Sequence, residues 1–175
     1  MPKTTTSLAT AATLILAGAL VVEGGPGGVV GVSSGPGLAG HAGKITYYAA
    51  RDNDPAGTAT IAYPRSSGAP TLHDQAGGTG TFADPLTFAA QEGIFEPGTR
   101  IYVPHVQRYF MLEDICATCD GTHVDLWTGP AIDEGVIACE NRLTLDGPQS
   151  YQVDPPPGLP VEPGYLYRDG QCYIP

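Results

Sequence analysis

At 175 residues, the chain has room for one domain with extensions. Lys and Arg number 8 against 18 Asp and Glu, for a formal charge of −10. That balance repels nucleic-acid phosphates and anionic lipid, leaving neutral glycans, cationic surfaces or other proteins as partners.

The N-terminus reads as an export signal over 1–19. Lys3 supplies a positive start, Leu8 to Leu16 is apolar, and Ala17-Gly18-Ala19 offers small residues for cleavage. The apolar run ends by Val22, short of the roughly 20 residues that span a bilayer, so no membrane anchor is expected. Residues 20–43 are Gly-rich, nearly uncharged and aperiodic, and are read as a flexible linker.

A domain is expected over 44–144. Ile45-Thr46-Tyr47-Tyr48 is β-branched and aromatic, as strands prefer. Arg51 to Pro55 is turn chemistry, Thr58 to Tyr63 alternates like a second strand, and Pro64 to Pro70 is loop. Ala76 to Gly80 is a glycine-dense bend. Strand signals return at Thr81-Phe82-Ala83, and Leu86 to Ala90 reads as a short helical turn. Thr99 to Val103, Arg108 to Leu112 and Thr122 to Trp127 are three further strands. Gly129 to Asn141 holds a short helix, with Asp133-Glu134 as charges at its start. From 145 to 175 the chain is a Pro-rich extension expected to wrap the surface, pinned near its end by Cys172.

Cys116, Cys119, Cys139 and Cys172 remain after the signal, an even count that fits two disulfides in an oxidising, extracellular setting. Four cysteines allow three pairings. Cys116-Ala117-Thr118-Cys119 also has the C-x-x-C spacing of metal and redox sites. Zinc would need a second close ligand pair, and redox chemistry a helix start. Neither is legible, so no metal or other cofactor is expected. Short strands with non-hairpin joins suggest a mostly β fold built on a small barrel.

Four segments carry a resemblance. Phe82-Ala83-Asp84-Pro85, then Pro97 to Pro104, then Leu112-Glu113-Asp114, then Gly121 to Leu126 is similar in order and spacing to the three-aspartate domain of some bacterial lytic transglycosylases and other muralytic enzymes. Thr46-Tyr47-Tyr48 matches that family's first-strand Thr-x-Tyr. The resemblance implies a six-stranded double-psi β-barrel with short helical turns, and puts the three aspartates on Asp84, Asp114 and Asp125. His123-Val124-Asp125-Leu126 also resembles the His-Phe-Asp-Leu strand of the barwin-like group, which includes expansins and related endoglucanases. The endoglucanases' second aspartate falls on Ala50 here, with Asp52 and Asp54 nearby in another register. A one-acid lytic mechanism, or expansin-like binding without cleavage, fits that departure better than a two-carboxylate hydrolase. Secreted barrel proteins of the papain-inhibitor kind share the general fold and are not enzymes.

Glycoside cleavage needs a proton for the leaving oxygen and charge support for an oxocarbenium-like state. A lytic enzyme manages with one acid, because a hydroxyl of the sugar replaces water. Converging carboxyls keep one another protonated. Asp125 is the expected acid: mid-strand between apolar neighbours, a carboxylate is costly unless paired or used. Asp114 would tune it or hold substrate, and Thr46 and Tyr48 would orient substrate. His123 shares the strand face of Asp125 by two-residue alternation. Each residue also has a plainer reading. Asp84 before Pro85 opens turns, Asp114 caps the cysteine turn, His123 and Glu113 are solvated, and His73 is a loop residue. Trp127 stacks on a sugar or packs against the barrel.

Three functions are therefore carried forward for a secreted, monomeric protein. The first is cleavage of cell-wall polysaccharide at β-1,4 bonds. The second is non-catalytic glycan binding. The third is inhibition of a cysteine protease, or another protein interaction. A row of exposed aromatics would favour the second, and a projecting 64–75 loop with separated aspartates the third.

Overall fold

The computed structural model describes residues 40–174. The expected signal over 1–19 and residues 20–39 of the expected linker lie outside the described residues.

The fold is mostly β. Among the described residues there are nine strands: β1 (Gly40–Gly43), β2 (Ile45–Tyr48), β3 (Leu86–Ala90), β4 (Arg100–Val103), β5 (Arg108–Ile115), β6 (Val124–Trp127), β7 (Gln149–Val153), β8 (Tyr167–Arg168) and β9 (Gln171–Cys172). An α-helix, α1 (Glu134–Leu143), follows β6. The first seven strands form one sheet in the order β1-β7-β4-β5-β3-β6-β2, and β8 pairs with β9. Only Lys44 separates β1 from β2, yet they are the opposite edges of the seven-stranded sheet. The sheet must therefore curl until its edges meet, which gives a half-barrel shape. Thr122 reinforces the meeting: its hydroxyl donates to Ala42 O at 3.1 Å, and its carbonyl accepts from Tyr151 of β7 at 3.0 Å.

Leu86 to Ala90 is a strand and not the helical turn expected from sequence. It lies between β5 (parallel) and β6 (antiparallel), and all five residues are buried. A strand covered on both faces loses the alternation that distinguishes it from a buried helical turn. Thr58 to Tyr63 is the converse case. It joins no ladder, because its main chain bonds elsewhere: Ala62 N to Asp114 Oδ1 at 2.9 Å and Tyr63 N to Glu113 O at 2.9 Å. Thr81 to Ala83 is likewise a bend.

The sheet also outgrows the expected 44–144 boundary at both ends. β1 lies in the Gly-rich stretch and β7 in the Pro-rich one, pairing with each other. Gly43 is required there, since a Cβ would collide with the carbonyl of Thr122. Beyond β7 the Pro-rich segment straps one face. Tyr109 donates to Pro156 O at 2.7 Å, Tyr102 to Pro160 O at 2.7 Å and Arg108 Nε to Gly164 O at 2.8 Å.

In α1, Val136, Cys139, Glu140 and Leu143 form the buried stripe that a 3.6-residue period demands. Asp133 caps its start, accepting from Gly135 N at 2.9 Å. Both disulfides are formed: Cys116–Cys119 within the turn after β5, and Cys139–Cys172 from α1 to β9. They close loops of sequence separation 3 and 33. Loop-closure entropy then makes their contributions unequal. Urea unfolding should show a loss of about 2 kcal/mol for the double Ser variant of Cys116 and Cys119, and about 4 kcal/mol for that of Cys139 and Cys172.

Candidate functional site

Strand register assembles the site. Thr46 of β2 pairs with Asp125 of β6, Asp125 with Ala89 of β3, and Ala89 with Asp114 of β5. Thr46, Asp125, Ala89 and Asp114 thus form one row across four strands. The two aspartates are two strand spacings apart, about 9.5 Å between backbones. Ala89 is small enough to leave space between them. That space is part of a cleft of about 430 Å³, lined also by Tyr48, by Asp52, Asn53 and Asp54 of the turn after β2, and by the Cys116 to Thr118 turn.

Asp114 reaches this row through a β-bulge. Phe88 pairs with Leu112 but Ala89 pairs with Asp114, so Glu113 is the extra residue. Bulges re-aim side chains in this way. Asp114 Oδ1 accepts from Ile115 N and Ala62 N, both at 2.9 Å, and Oδ2 from the Tyr48 hydroxyl at 3.3 Å. Burial pushes its carboxyl up, while these hydrogen bonds pull it back.

Asp125 is held more strongly in its acid form. Burial first, then Asp52 and Asp114, push it up to about 6, against the pull of a Thr46 hydrogen bond and of Lys44. Thr46 Oγ1 donates to Asp125 Oδ1 at 2.7 Å and lies 2.8 Å from His123 Nε2. With its proton committed to the aspartate, the Thr46 oxygen accepts from the histidine, which fixes His123 as the Nε2–H tautomer. His123 is buried, and desolvation lowers its pKa, consistent with a neutral ring. His123 is therefore not the solvated residue of its plainer reading. Thr46→Val removes the bond that favours the carboxylate. The Asp125 titration followed by NMR should move up by about one pH unit.

A third carboxyl lies near the row. Glu140 of α1 is buried, and its Oε1 lies 3.2 Å from Thr128 Oγ1. Burial, with Asp52 and Asp125, pushes it up to about 8. It was not legible as a site neighbour, because its place depends on how α1 packs.

Two expected site residues have other tasks. Trp127 is fully buried and packs edge-on against Tyr48, with ring centroids 5.2 Å apart. No face is left for stacking on a sugar. Asp84 does not line the cleft. Its Oδ1 is 2.9 Å from His73 Nε2, and His73 Nδ1 is 2.8 Å from Oε2 of the fully buried Glu113. Glu113 also accepts from Leu72 N and His73 N at 3.1 Å and from Thr87 Oγ1 at 2.6 Å. His73 and Glu113, read from sequence as loop and surface residues, form a clamp on the long β2–β3 connection, with Glu113 buried and His73 half-buried. Alternation along β5 hid Glu113, because the bulge adds a residue to the count.

Residues 41–173 match the family described as the DDB_G0273701 N-terminal domain. The chain belongs to that family. A Dictyostelium discoideum relative, "Uncharacterized protein DDB_G0273701/DDB_G0273221", is 40% identical over 121 residues, which cover 65% of this chain and 50% of the relative. The chain thus spans about half the length of the curated relative it matches. No solved structure matches the chain. Among the described residues, no helix is long and apolar enough to cross a membrane, and no group of three or more His, Cys, Asp or Glu is arranged to hold a metal ion.

Proposed function

We propose that this chain is a secreted protein acting on cell-wall glycan, with Asp125 as the acid that cleaves a β-1,4 glycosidic bond. The observation that carries this reading is Asp125 itself: a carboxyl in a cleft, pushed up to about 6 and paired across Ala89 with Asp114. A general acid must hold its proton near the working pH. In the lytic reaction Asp125 gives its proton to the bridging oxygen and the bond from that oxygen to the anomeric carbon breaks. The sugar's own hydroxyl oxygen then bonds to the anomeric carbon, and its proton returns to Asp125.

The double-psi barrel belongs to this proposal. Its support is topological: two parallel pairs, β2/β6 and β3/β5, flank the antiparallel pair β3/β6. The resemblance to three-aspartate and barwin-like domains is carried on Asp114, Asp125 and the Thr46 strand, without Asp84. Secretion is supported by the two disulfides, which persist in oxidising compartments.

Binding without cleavage is less favoured, since Tyr48 and Trp127 are buried and offer no aromatic platform at the cleft. The inhibitor reading is less favoured because the 64–75 loop is clamped through His73, while Asp114 and Asp125 line one cleft.

The test is release of soluble fragments from peptidoglycan, chitin and cellulose by the mature protein and by Asp125→Asn, with product masses read. Anhydro-sugar ends that vanish in the variant are the expected result. Hydrated ends would make the enzyme a hydrolase, with Asp114 or Asp52 activating water. No release by folded protein from any polymer would overturn cleavage of these substrates.

A further inference from the structure

Glu140 is a buried carboxyl that the cleavage reading does not use. It lies on the buried stripe of α1, the helix that packs against β2. Among the described residues it forms no ion pair: Arg51 is taken by Glu134 in the first turn of α1, and the other pairs belong to Arg65 and His73. Its hydrogen-bond partner is Thr128 Oγ1 at 3.2 Å, and that hydroxyl also lies 2.9 Å from Tyr48 O. Thr128 is fully buried, and its hydroxyl carries a single proton. A charged Glu140 can only accept, so it competes with Tyr48 O for that proton. A neutral Glu140 gives its own proton to Thr128 Oγ1 and leaves the hydroxyl proton for Tyr48 O. Only the neutral acid completes both bonds, and a buried charge without a cation is the costlier arrangement.

The groups around Glu140 favour the same state. Burial opposes its ionisation most, Asp52 from the turn after β2 comes next, and Asp125 of β6 adds to both. Tyr48, at the end of β2, is a neutral phenol that donates to Asp114. β9, the other strand against α1, brings Gln171 and the disulfide-bonded Cys172, which do not titrate. Lys44 acts on Asp125 and is not among the groups acting on Glu140. We propose that Glu140 is a pH-operated latch between α1 and the end of β2. Protonated, it closes the chain Glu140–Thr128–Tyr48; ionised, it takes the proton from the Tyr48 carbonyl, faces Asp52 and Asp125 as a like charge, and loosens α1. Tyr48 also lines the cleft, so the latch fastens the strand end that forms part of its wall. The latch operates whatever the cleft binds.

The experiment compares wild type with Glu140→Gln, which keeps a donor for Thr128 and cannot ionise. Thermal melts and amide hydrogen exchange are followed from about pH 4 to 9. A carboxyl raised in the fold contributes fully below its unfolded pKa, and the contribution is lost as pH rises through the folded value, here from 4.5 to about 8. The two proteins should therefore melt together near pH 4, and Glu140→Gln should melt higher by about 5 °C or more at pH 8. His73 titrates in both and cancels from the gap. At pH 9, exchange across α1 should be about tenfold faster in wild type than in Glu140→Gln, with β5 alike in the two. A Glu140→Gln protein that melts lower than wild type at pH 8 would mean that Glu140 is charged in the fold, and would overturn the latch. So would a gap that does not change with pH, or equal exchange across α1. The wild type alone supplies an independent check by NMR titration of the Glu140 carboxyl. Its midpoint should lie well above 4.5 and fall in Asp125→Asn, which removes one facing charge; an ordinary midpoint would overturn the latch without any variant at position 140.

Discussion

His73→Ala should lower the unfolding free energy by about 3 kcal/mol near pH 6, with a melting point about 10 °C lower. The reason is what it leaves behind. Glu113 is completely buried, and His73 Nδ1 is the cationic partner among its hydrogen-bond donors. Removing one member of a buried pair strands the other, which costs more than the pair contributes. Leu72 N, His73 N and Thr87 Oγ1 remain as donors, which keeps the expected loss at the lower end of the range for broken buried pairs.

The same clamp sets a pH dependence. Hydrogen bonds to Glu113 and Asp84 outweigh desolvation and raise His73 from 6.5 to about 9. A raised histidine stabilises the fold fully below its unfolded pKa, and that contribution is lost as pH rises through the folded value. Wild-type stability should therefore decline between about pH 6.5 and 9, by at most about 3 kcal/mol. The gap to His73→Ala should narrow over the same window. Urea unfolding of both proteins across that range measures it, and a constant gap would mean that His73 is neutral in the fold.

The second large effect is on chemistry. Asp125→Asn should reduce fragment release by about 10²- to 10⁴-fold, the usual contribution of a general acid. In the wild type, rate should fall about tenfold per pH unit above about 6, as the acid form of Asp125 is depleted. The stability of Asp125→Asn should not fall with its activity. A carboxyl raised in the fold resists ionisation, so wild-type stability falls as pH climbs from the unfolded pKa through about 6. The amide does not ionise and can still accept from Thr46, so at neutral pH Asp125→Asn should melt no lower than wild type. Lost cleavage with retained or increased stability separates a catalytic acid from a structural one.

Much of this was legible locally. Ile45 to Tyr48, Thr99 to Val103, Arg108 to Leu112 and Thr122 to Trp127 carry β-branched and aromatic residues, and each contains or overlaps a strand. Asp133 announced the start of α1, and the even cysteine count predicted two disulfides. The expectation that Asp125 is too costly mid-strand to be idle rested on desolvation, and desolvation is the largest cause of its raised pKa.

Other features were not legible, each for a definable reason. β3 carries no alternation because both its faces are covered. β1 is made of residues with little strand propensity and exists because β7 supplies its ladder from 106 residues further along the chain, at the Gly43–Gln149 pair. Asp84 looked equivalent to Asp114 and Asp125 as one more aspartate beside a strand, yet His73 captures it.

The sequence by itself determined four of the strand segments, the helix cap and the acidic charge, because these depend on composition or on neighbours a few residues away. Only the tertiary structure decided which cysteines pair, which aspartates share a cleft and which glutamates are buried. The shared cleft and the burial of Glu113 depend on one bulge at Glu113 and on the curl that joins β1 to β2, whereas the packing of α1 buries Glu140 and brings Cys139 to Cys172. A bulge shifts every following side chain to the other face, and a curl brings distant strands together, so neither leaves a periodic trace along the chain.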